Sequence, residues 1–136
     1  MNEIMMDGKK ILVVDDEKQI LDMYSGFFSM KGYGVQTAKS AEEALEILEK
    51  EQYWVMFLDL NLPGMSGVDL CRQICRDRPM AICHAVTGYG SLYELHDCRK
   101  AGFEDLFIKP AGLRDLLEAA EHAFKKLERW RKGGTM

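Results

Sequence analysis

The feature that most constrains this chain is a short apolar run that ends abruptly in acids. Residues 11–17 read ILVVDDE, so four core-type side chains are followed at once by Asp15 and Asp16. The run has the length of a strand, and the residues after it repeat apolar side chains at helical spacing up to Gly32. A strand buried on both faces and followed by a helix is typical of a parallel sheet covered by helices.

The same alternation continues to the end of the chain. Ser40, with Glu43 three residues later, and Ser66 are typical helix N-caps. Five strands alternating with five helices predict an α/β fold with a doubly wound, five-stranded parallel sheet that is covered by helices on both faces. The predicted strands are residues 10–16, 34–39, 53–60, 80–88 and 104–110, and the predicted helices are residues 17–33, 41–51, 67–77, 89–102 and 112–132.

Length and charge exclude several classes of function. A chain of 136 residues with 47% apolar residues has the size of one domain with an ordinary core. Its net charge of −4 provides no basic stripe, so we expect no nucleic-acid binding by this chain alone. The apolar runs are strand-length and the N-terminus lacks the apolar segment of a signal peptide. We therefore expect a cytoplasmic protein without a membrane segment.

The four cysteines are candidates for a metal site or for disulfides. Cys71 and Cys75 share one face of a predicted helix, and Cys83 and Cys98 have histidines nearby in sequence. The spacing contains no CxxC, and scattered thiols in an acidic cytosolic chain are usually reduced and buried. The sequence therefore favours cysteines that act as small apolar side chains.

Polar side chains close four of the five predicted strands. Asp15 and Asp16 close the first strand, Asp59 closes the third, Thr87 closes the fourth and Lys109 closes the fifth. The carboxyl ends of parallel strands lie along one edge of a sheet, where ligands bind at the switch point in strand order. We therefore expect these five side chains to meet at that edge.

The segments ILVVDDE, LDLNLPGMSG, VTG and IKP occur in the order and at the spacing found in response-regulator receiver domains of two-component signalling. The chain resembles a receiver over residues 9–130; residues 1–8 would be an N-terminal extension and residues 131–136 a C-terminal tail. The resemblance implies the chemotaxis-regulator-like fold, which is a flavodoxin-like (βα)5 sheet with the strand order 2-1-3-4-5. The resemblance implies that Asp59 accepts a phosphoryl group, that Asp15 and Asp16 form a pocket for Mg²⁺, and that Thr87 and Lys109 contact the phosphoryl group.

The chemistry of these residue types leads to a similar interpretation. Three adjacent carboxylates repel one another unless a cation is supplied, and hard oxygen ligands suit Mg²⁺. We expect Asp16, Asp59 and the backbone carbonyl of Asn61 as direct ligands, with Asp15 acting through water. Taken singly, the residues have structural readings: an Asp16–Lys109 ion pair, a strand-end hydroxyl at Thr87 and a helix cap at Asp59.

Two classes of function remain open at this point. The first is a phosphorylation-controlled signalling switch that takes a phosphoryl group from a sensor histidine kinase or a histidine phosphotransfer protein. Such a chain is not a turnover enzyme, because it catalyses only its own phosphoryl transfer and slow dephosphorylation. The alternative is a non-phosphorylated binding module or a metal-dependent phosphohydrolase on the same fold. A phosphohydrolase needs a base to activate water near Asp59, and the motifs contain none, which favours the switch.

Two positions bear on signal output and on phosphate lifetime. Receivers commonly have an aromatic residue three positions before the conserved lysine, where this chain has Leu106, and Phe107 should face the other side of the strand. The output partner is expected on the fourth helix, fifth strand and fifth helix, and Leu106 should mute the shift there. Tyr89, two residues past Thr87, is expected to shield the acyl phosphate from water.

Overall fold

The computed structural model describes residues 8–88 and 92–134 and contains five parallel strands that alternate with five helices. The sheet order is β2-β1-β3-β4-β5, which confirms the order implied by the resemblance to receivers. The strands are β1 (Lys10–Val14), β2 (Gly34–Ala38), β3 (Val55–Asp59), β4 (Ile82–Thr87) and β5 (Asp105–Ile108). The helices are α1 (Lys18–Met30), α2 (Ala41–Lys50), α3 (Gly67–Asp77), α4 (Leu92–Ala101) and α5 (Leu113–Gly134).

Alternating side chains of the strands form two cores, one on each face of the sheet. Leu12 and Met56 pack under α2, α3 and α4 on one face. Ile11 and Phe57 pack under α1 and α5 on the other. Every residue of β3 is buried, which accounts for the continuous apolar run before Asp59.

The helix starts follow the capping residues read from the sequence. The Ser40 hydroxyl accepts a hydrogen bond from the Glu43 backbone N–H at 3.1 Å, and the Glu43 carboxylate accepts one from the Lys39 N–H at 2.6 Å. Ser66 caps α3 by accepting from the Asp69 N–H at 3.1 Å. These bonds satisfy amide groups that have no partner within the helix.

The last helix continues past residue 130, where the receiver-like segment was expected to end, as far as Gly134. Residues 1–7, most of the expected extension, lie outside the described residues, as do residues 135–136 of the expected tail and Tyr89. Within residues 8–88 and 92–134, none of the helices combines the length and apolar character needed to cross a membrane.

Candidate functional site

The carboxyl edge of the sheet brings together the polar residues that close the strands. Asp15 directly follows β1, and its N–H donates to the carbonyl of Ala38 at the end of β2 at 3.1 Å. Asp59 is the last residue of β3 and Thr87 the last of β4. Lys109 directly follows β5, and its N–H donates to the Thr87 carbonyl at 2.7 Å. The peptide bond between Lys109 and Pro110 is cis.

Three carboxylates form the acidic part of the site. Asp15, Asp16 and Asp59 each place an oxygen within 4.8 Å of the others. Asp15 and Asp59 are buried, at 2% and 5% exposure, whereas Asp16 is exposed. Hard, negatively charged oxygens with one side open to solvent are the donor set that Mg²⁺ takes, since this ion keeps several of its waters. The residues present therefore fit a magnesium ion.

Lys109 supplies positive charge to the two buried carboxylates. Its Nζ lies 2.8 Å from Asp15 Oδ2, 3.2 Å from Asp59 Oδ2 and 3.6 Å from Glu17 Oε1. The Lys109 side chain is only 16% exposed, and its ammonium lies between the two buried carboxylates. Lys109 thus pairs with Asp15 and Asp59. The alternative interpretation of the sequence, an ion pair between Asp16 and Lys109, is wrong.

The surroundings of the site raise the pKa values of both Asp59 and Lys109. Burial raises the pKa of Asp59, and the charge of Asp15 adds to this, while hydrogen bonds from the Asn61 N–H and Lys109 work against it. Burial alone would lower the pKa of Lys109, but the hydrogen bonds and charges of Asp15 and Asp59 outweigh it and raise that pKa. Lys109 is consequently a permanent cation at neutral pH.

Backbone amides fix the orientation of the two buried carboxylates. Asp59 Oδ1 accepts from the Asn61 N–H at 3.1 Å, and Asp15 Oδ1 accepts from the Glu17 N–H at 2.9 Å. In each case the other oxygen is the one that meets Lys109. Asp59 uses its carboxylate within its own loop and Ser66 caps α3, so the reading of Asp59 as a helix cap is wrong.

Gly67 is a positioning residue that sequence reasoning missed. It is the first residue of α3, and its N–H donates to the Leu60 carbonyl at 3.0 Å. A Cβ at this position would collide with the carbonyl oxygen of Asp59 and stand 2.8 Å from the Leu60 Cα. The absence of a side chain therefore lets α3 begin against the backbone of the phosphoacceptor candidate. A glycine just after an N-cap, where it is a poor helix former, was the available signal.

Glu42 is a second residue that the sequence did not single out. Its carboxylate accepts from the Met65 N–H at 3.2 Å, which ties the loop after β3 to α2. Gly64, in the same loop, has a φ of +77°, and a Cβ there would lie 2.9 Å from the Glu42 carboxylate. The positive φ of Gly64 and the hydrogen bond to Glu42 therefore both hold the loop after β3 in place. The two bonded residues are 23 positions apart, so no short motif reveals this contact.

The surroundings of Thr87 agree with the sequence in two respects. Thr87 is fully buried, and, its chain neighbours aside, none of the described residues has an atom within 4 Å of where a Cβ of Gly88 would be. Leu106 packs against the core under α2, α3 and α4, whereas Phe107 packs against the core under α1 and α5. The two β5 side chains thus lie on opposite faces, as predicted. Leu106 also lines a cavity of about 660 Å³ with Leu95 and Cys98.

Comparison with known proteins decides what this arrangement is. The family model described as the response regulator receiver domain matches residues 11–121. This chain belongs to that family. It is 32% identical over 120 residues to the response regulator protein PilR of Pseudomonas aeruginosa, covering 88% of this chain but 27% of PilR. The receiver domain therefore spans about a quarter of that relative's length.

Solved structures agree with the receiver fold. A CheY-like receiver domain protein from Methanospirillum hungatei superposes with a TM-score of 0.87 at 34% identity, covering 90% of this chain and 98% of the other. The beryllofluoride-activated NtrC4 receiver domain dimer gives a TM-score of 0.82 at 30% identity, with coverages of 87% and 98%.

Membership sets the general class of function. Receiver domains are generally phospho-accepting switches of two-component signalling, not turnover enzymes. They generally bind Mg²⁺ at an acidic cluster, and here Asp15, Asp16 and Asp59 form such a group. In response regulators they are phosphorylated by histidine kinases or phosphotransfer proteins.

Proposed function

We propose that this receiver domain is a phosphorylation-controlled switch that accepts a phosphoryl group on Asp59. The observation that carries the proposal is the position of Asp59 at the end of β3, 3.2 Å from the Lys109 ammonium and grouped with the carboxylates of Asp15 and Asp16. A carboxylate held in this way can attack phosphorus while the cation beside it neutralises charge on the phosphoryl oxygens.

The transfer step uses groups that are already in place. A carboxylate oxygen of Asp59 forms the bond to phosphorus, the bond from phosphorus to the donor's imidazole nitrogen breaks, and an acyl phosphate results. The Asn61 N–H keeps the carboxylate oriented through Oδ1. Lys109, which contacts Asp59 before transfer, moves its hydrogen bond to a phosphoryl oxygen. Thr87, at the end of β4, offers a hydroxyl to another phosphoryl oxygen.

The acidic group is proposed to hold Mg²⁺. Asp16, Asp59 and the backbone carbonyl of Asn61 would ligate the ion directly, with Asp15 acting through water. When bound, the ion would neutralise charge on the phosphoryl group during transfer. Asp15 is 2.8 Å from Lys109, so this carboxylate is already engaged by a cation and suits an indirect role.

The proposal also covers the phosphoryl donor and the surface that an output partner recognises. We infer that a sensor histidine kinase or a histidine phosphotransfer protein phosphorylates the domain in the cytoplasm, and that a partner reads the change on α4, β5 and α5. We further infer that residues 9–130 form the receiver, with short segments on either side. No nucleic acid is bound by this chain alone, in keeping with its net charge of −4.

Phosphorylation by a small-molecule donor tests the proposal. Acetyl phosphate with Mg²⁺ should add one phosphoryl group to each chain, detected by intact mass, and Asp59→Asn or EDTA should abolish the addition. Asp22→Asn is a matched control, because this carboxylate is exposed on α1 and pairs with Lys18 at 2.8 Å. Equal labelling of Asp59→Asn would refute the assignment. Release of phosphate over many turnovers would instead indicate a phosphohydrolase.

A further inference from the structure

The fold assembles a cluster of thiols that the spacing of the cysteines does not reveal. The four cysteines are present as thiols, not as disulfides. Cys71 and Cys75 lie one turn apart on α3, and Cys83 is the second residue of β4, beneath that helix. The sulfurs of these three residues all lie within 4.8 Å of one another. The cluster lies towards the amino end of β4, whereas the phosphorylation site lies at the carboxyl end of the sheet.

The spacing of the sulfurs matches the coordination sphere of a thiophilic metal. A zinc–sulfur bond of about 2.3 Å implies sulfur–sulfur separations of about 3.8 Å around a tetrahedral ion. The Cys71 and Cys75 sulfurs are 3.9 Å apart. Since the third sulfur lies within 4.8 Å of both, completing the triangle requires it to move by at most about 1 Å. A rotation of about 30° around χ1, within one rotamer well, moves a cysteine sulfur by about this much.

The surroundings provide both support and access. The Cys71 thiol donates to the Ala101 carbonyl at 3.6 Å, and the Cys75 thiol donates to the Gly102 carbonyl at 3.9 Å, so the end of α4 closes over the cluster. Cys71 and Cys83 are fully buried, whereas Cys75 is partly exposed and lines a cavity of about 480 Å³. An ion and a solvent ligand can therefore enter beside Cys75.

We propose that Cys71, Cys75 and Cys83 form a binding site for one soft d¹⁰ metal ion, with Zn²⁺ the favoured occupant. Each thiol gives up its proton to solvent as its sulfur binds the metal. Three thiolates around Zn²⁺ leave a net charge of −1, and around Cu⁺ they leave −2. The smaller buried charge favours zinc, because uncompensated charge in a protein interior is costly. Water entering beside Cys75 completes the tetrahedron.

Cadmium is the probe for this site, because its bonds to thiolates give an ultraviolet charge-transfer band that carboxylates cannot produce. The full chain, reduced, freed of metal and kept in excess Mg²⁺, should develop the band up to one equivalent of Cd²⁺. Added Zn²⁺ should then remove it. Loss of a supporting hydrogen bond alone weakens metal sites by roughly 10–100-fold. Cys75→Ser or Cys83→Ser should therefore weaken Cd²⁺ binding by at least about tenfold.

Cys98→Ala is the matched control. Cys98 is also a buried thiol of the same core, but it does not belong to the group of three sulfurs, so its variant should titrate like wild type. No band at one equivalent, or an equal band in Cys75→Ser, would overturn the proposal. If a serine variant fails to fold, alkylation of wild-type Cys75 decides, followed by peptide mass spectrometry. Zn²⁺ should slow that alkylation, and an unchanged rate would also overturn the site.

Discussion

Replacing Gly67 with alanine isolates the contact between the start of α3 and the backbone of Asp59. The new Cβ would overlap the Asp59 carbonyl oxygen and lie 2.8 Å from the Leu60 Cα. Neither neighbour is a flexible side-chain end, so the backbone itself must move. The φ of Gly67 is not positive, which leaves collision as the source of strain.

Two opposing effects set the size of the change. Overpacking of this kind costs about 1–3 kcal/mol. Alanine is a better helix former than glycine by about 1 kcal/mol, which offsets part of that cost. We therefore expect Gly67→Ala to lose up to about 2 kcal/mol of stability. We also expect acetyl phosphate labelling to slow by about tenfold or more, because displacing a reacting group by about 1 Å can cost a factor of about 100.

Gly26→Ala is the matched control for this experiment. Gly26 lies on the exposed side of α1, and a Cβ there meets no atom within 4 Å. Only the helix preference acts, so this variant should gain about 0.5–1 kcal/mol in urea unfolding and label at the wild-type rate. If Gly67→Ala behaved like Gly26→Ala in both assays, the close approach would have no role. If Gly67→Ala lost stability but was labelled by acetyl phosphate at the wild-type rate, Gly67 would matter for packing but not for the position of Asp59.

Three further predictions concern single side chains. Leu106 should make nearly the same contacts whether its side chain lies outward or inward, so it should transmit little of the change at Asp59. Leu106→Tyr should therefore enlarge the backbone NMR shifts on α4 and α5 that follow beryllofluoride binding. Large shifts there in the wild type would contradict this. Lys109→Ala should lose about 2 kcal/mol in urea unfolding under EDTA by leaving Asp15 and Asp59 unpaired, and Mg²⁺ should restore part of it; no loss would refute the pairing. Burial and a hydrogen bond donated to Glu51 raise the pKa of Tyr53 to about 12. A tyrosine in the unfolded chain ionises at about 10, so the free energy of unfolding should fall as the pH rises between those two values. Tyr53→Phe should flatten that slope, and an equal slope would contradict it.

The sheet was predictable because each strand carries its own signal. The run before Asp59 is apolar on both faces, and β3 is buried throughout. Capping at Ser40 and Ser66 depends on residues three positions away, so it too can be read locally. Strand ends were less predictable, since Met80 was included in the fourth strand but β4 begins at Ile82.

The features that sequence could not reveal depend on how separate elements pack. The bond between Glu42 and the Met65 N–H joins residues 23 positions apart, and the approach of Gly67 to Asp59 depends on where α3 crosses the end of β3. The thiol cluster has the same origin. Spacing placed Cys71 beside Cys75, but only the position of α3 on β4 brings Cys83 to them.

The positions of β3 and β5 in the sheet affect where phosphorylation would move the backbone. β3 has a hydrogen-bonded neighbour on each side, β1 and β4, whereas β5 is an edge strand of four residues with a single partner. Amide hydrogen exchange should accordingly be slower in β3 than in β5, because edge strands open at lower free energy. Asp59 therefore ends a strand that is hydrogen-bonded on both sides, whereas Lys109 follows a strand that is paired on one side. We expect the movement that follows phosphorylation to be larger in β5 than in β3.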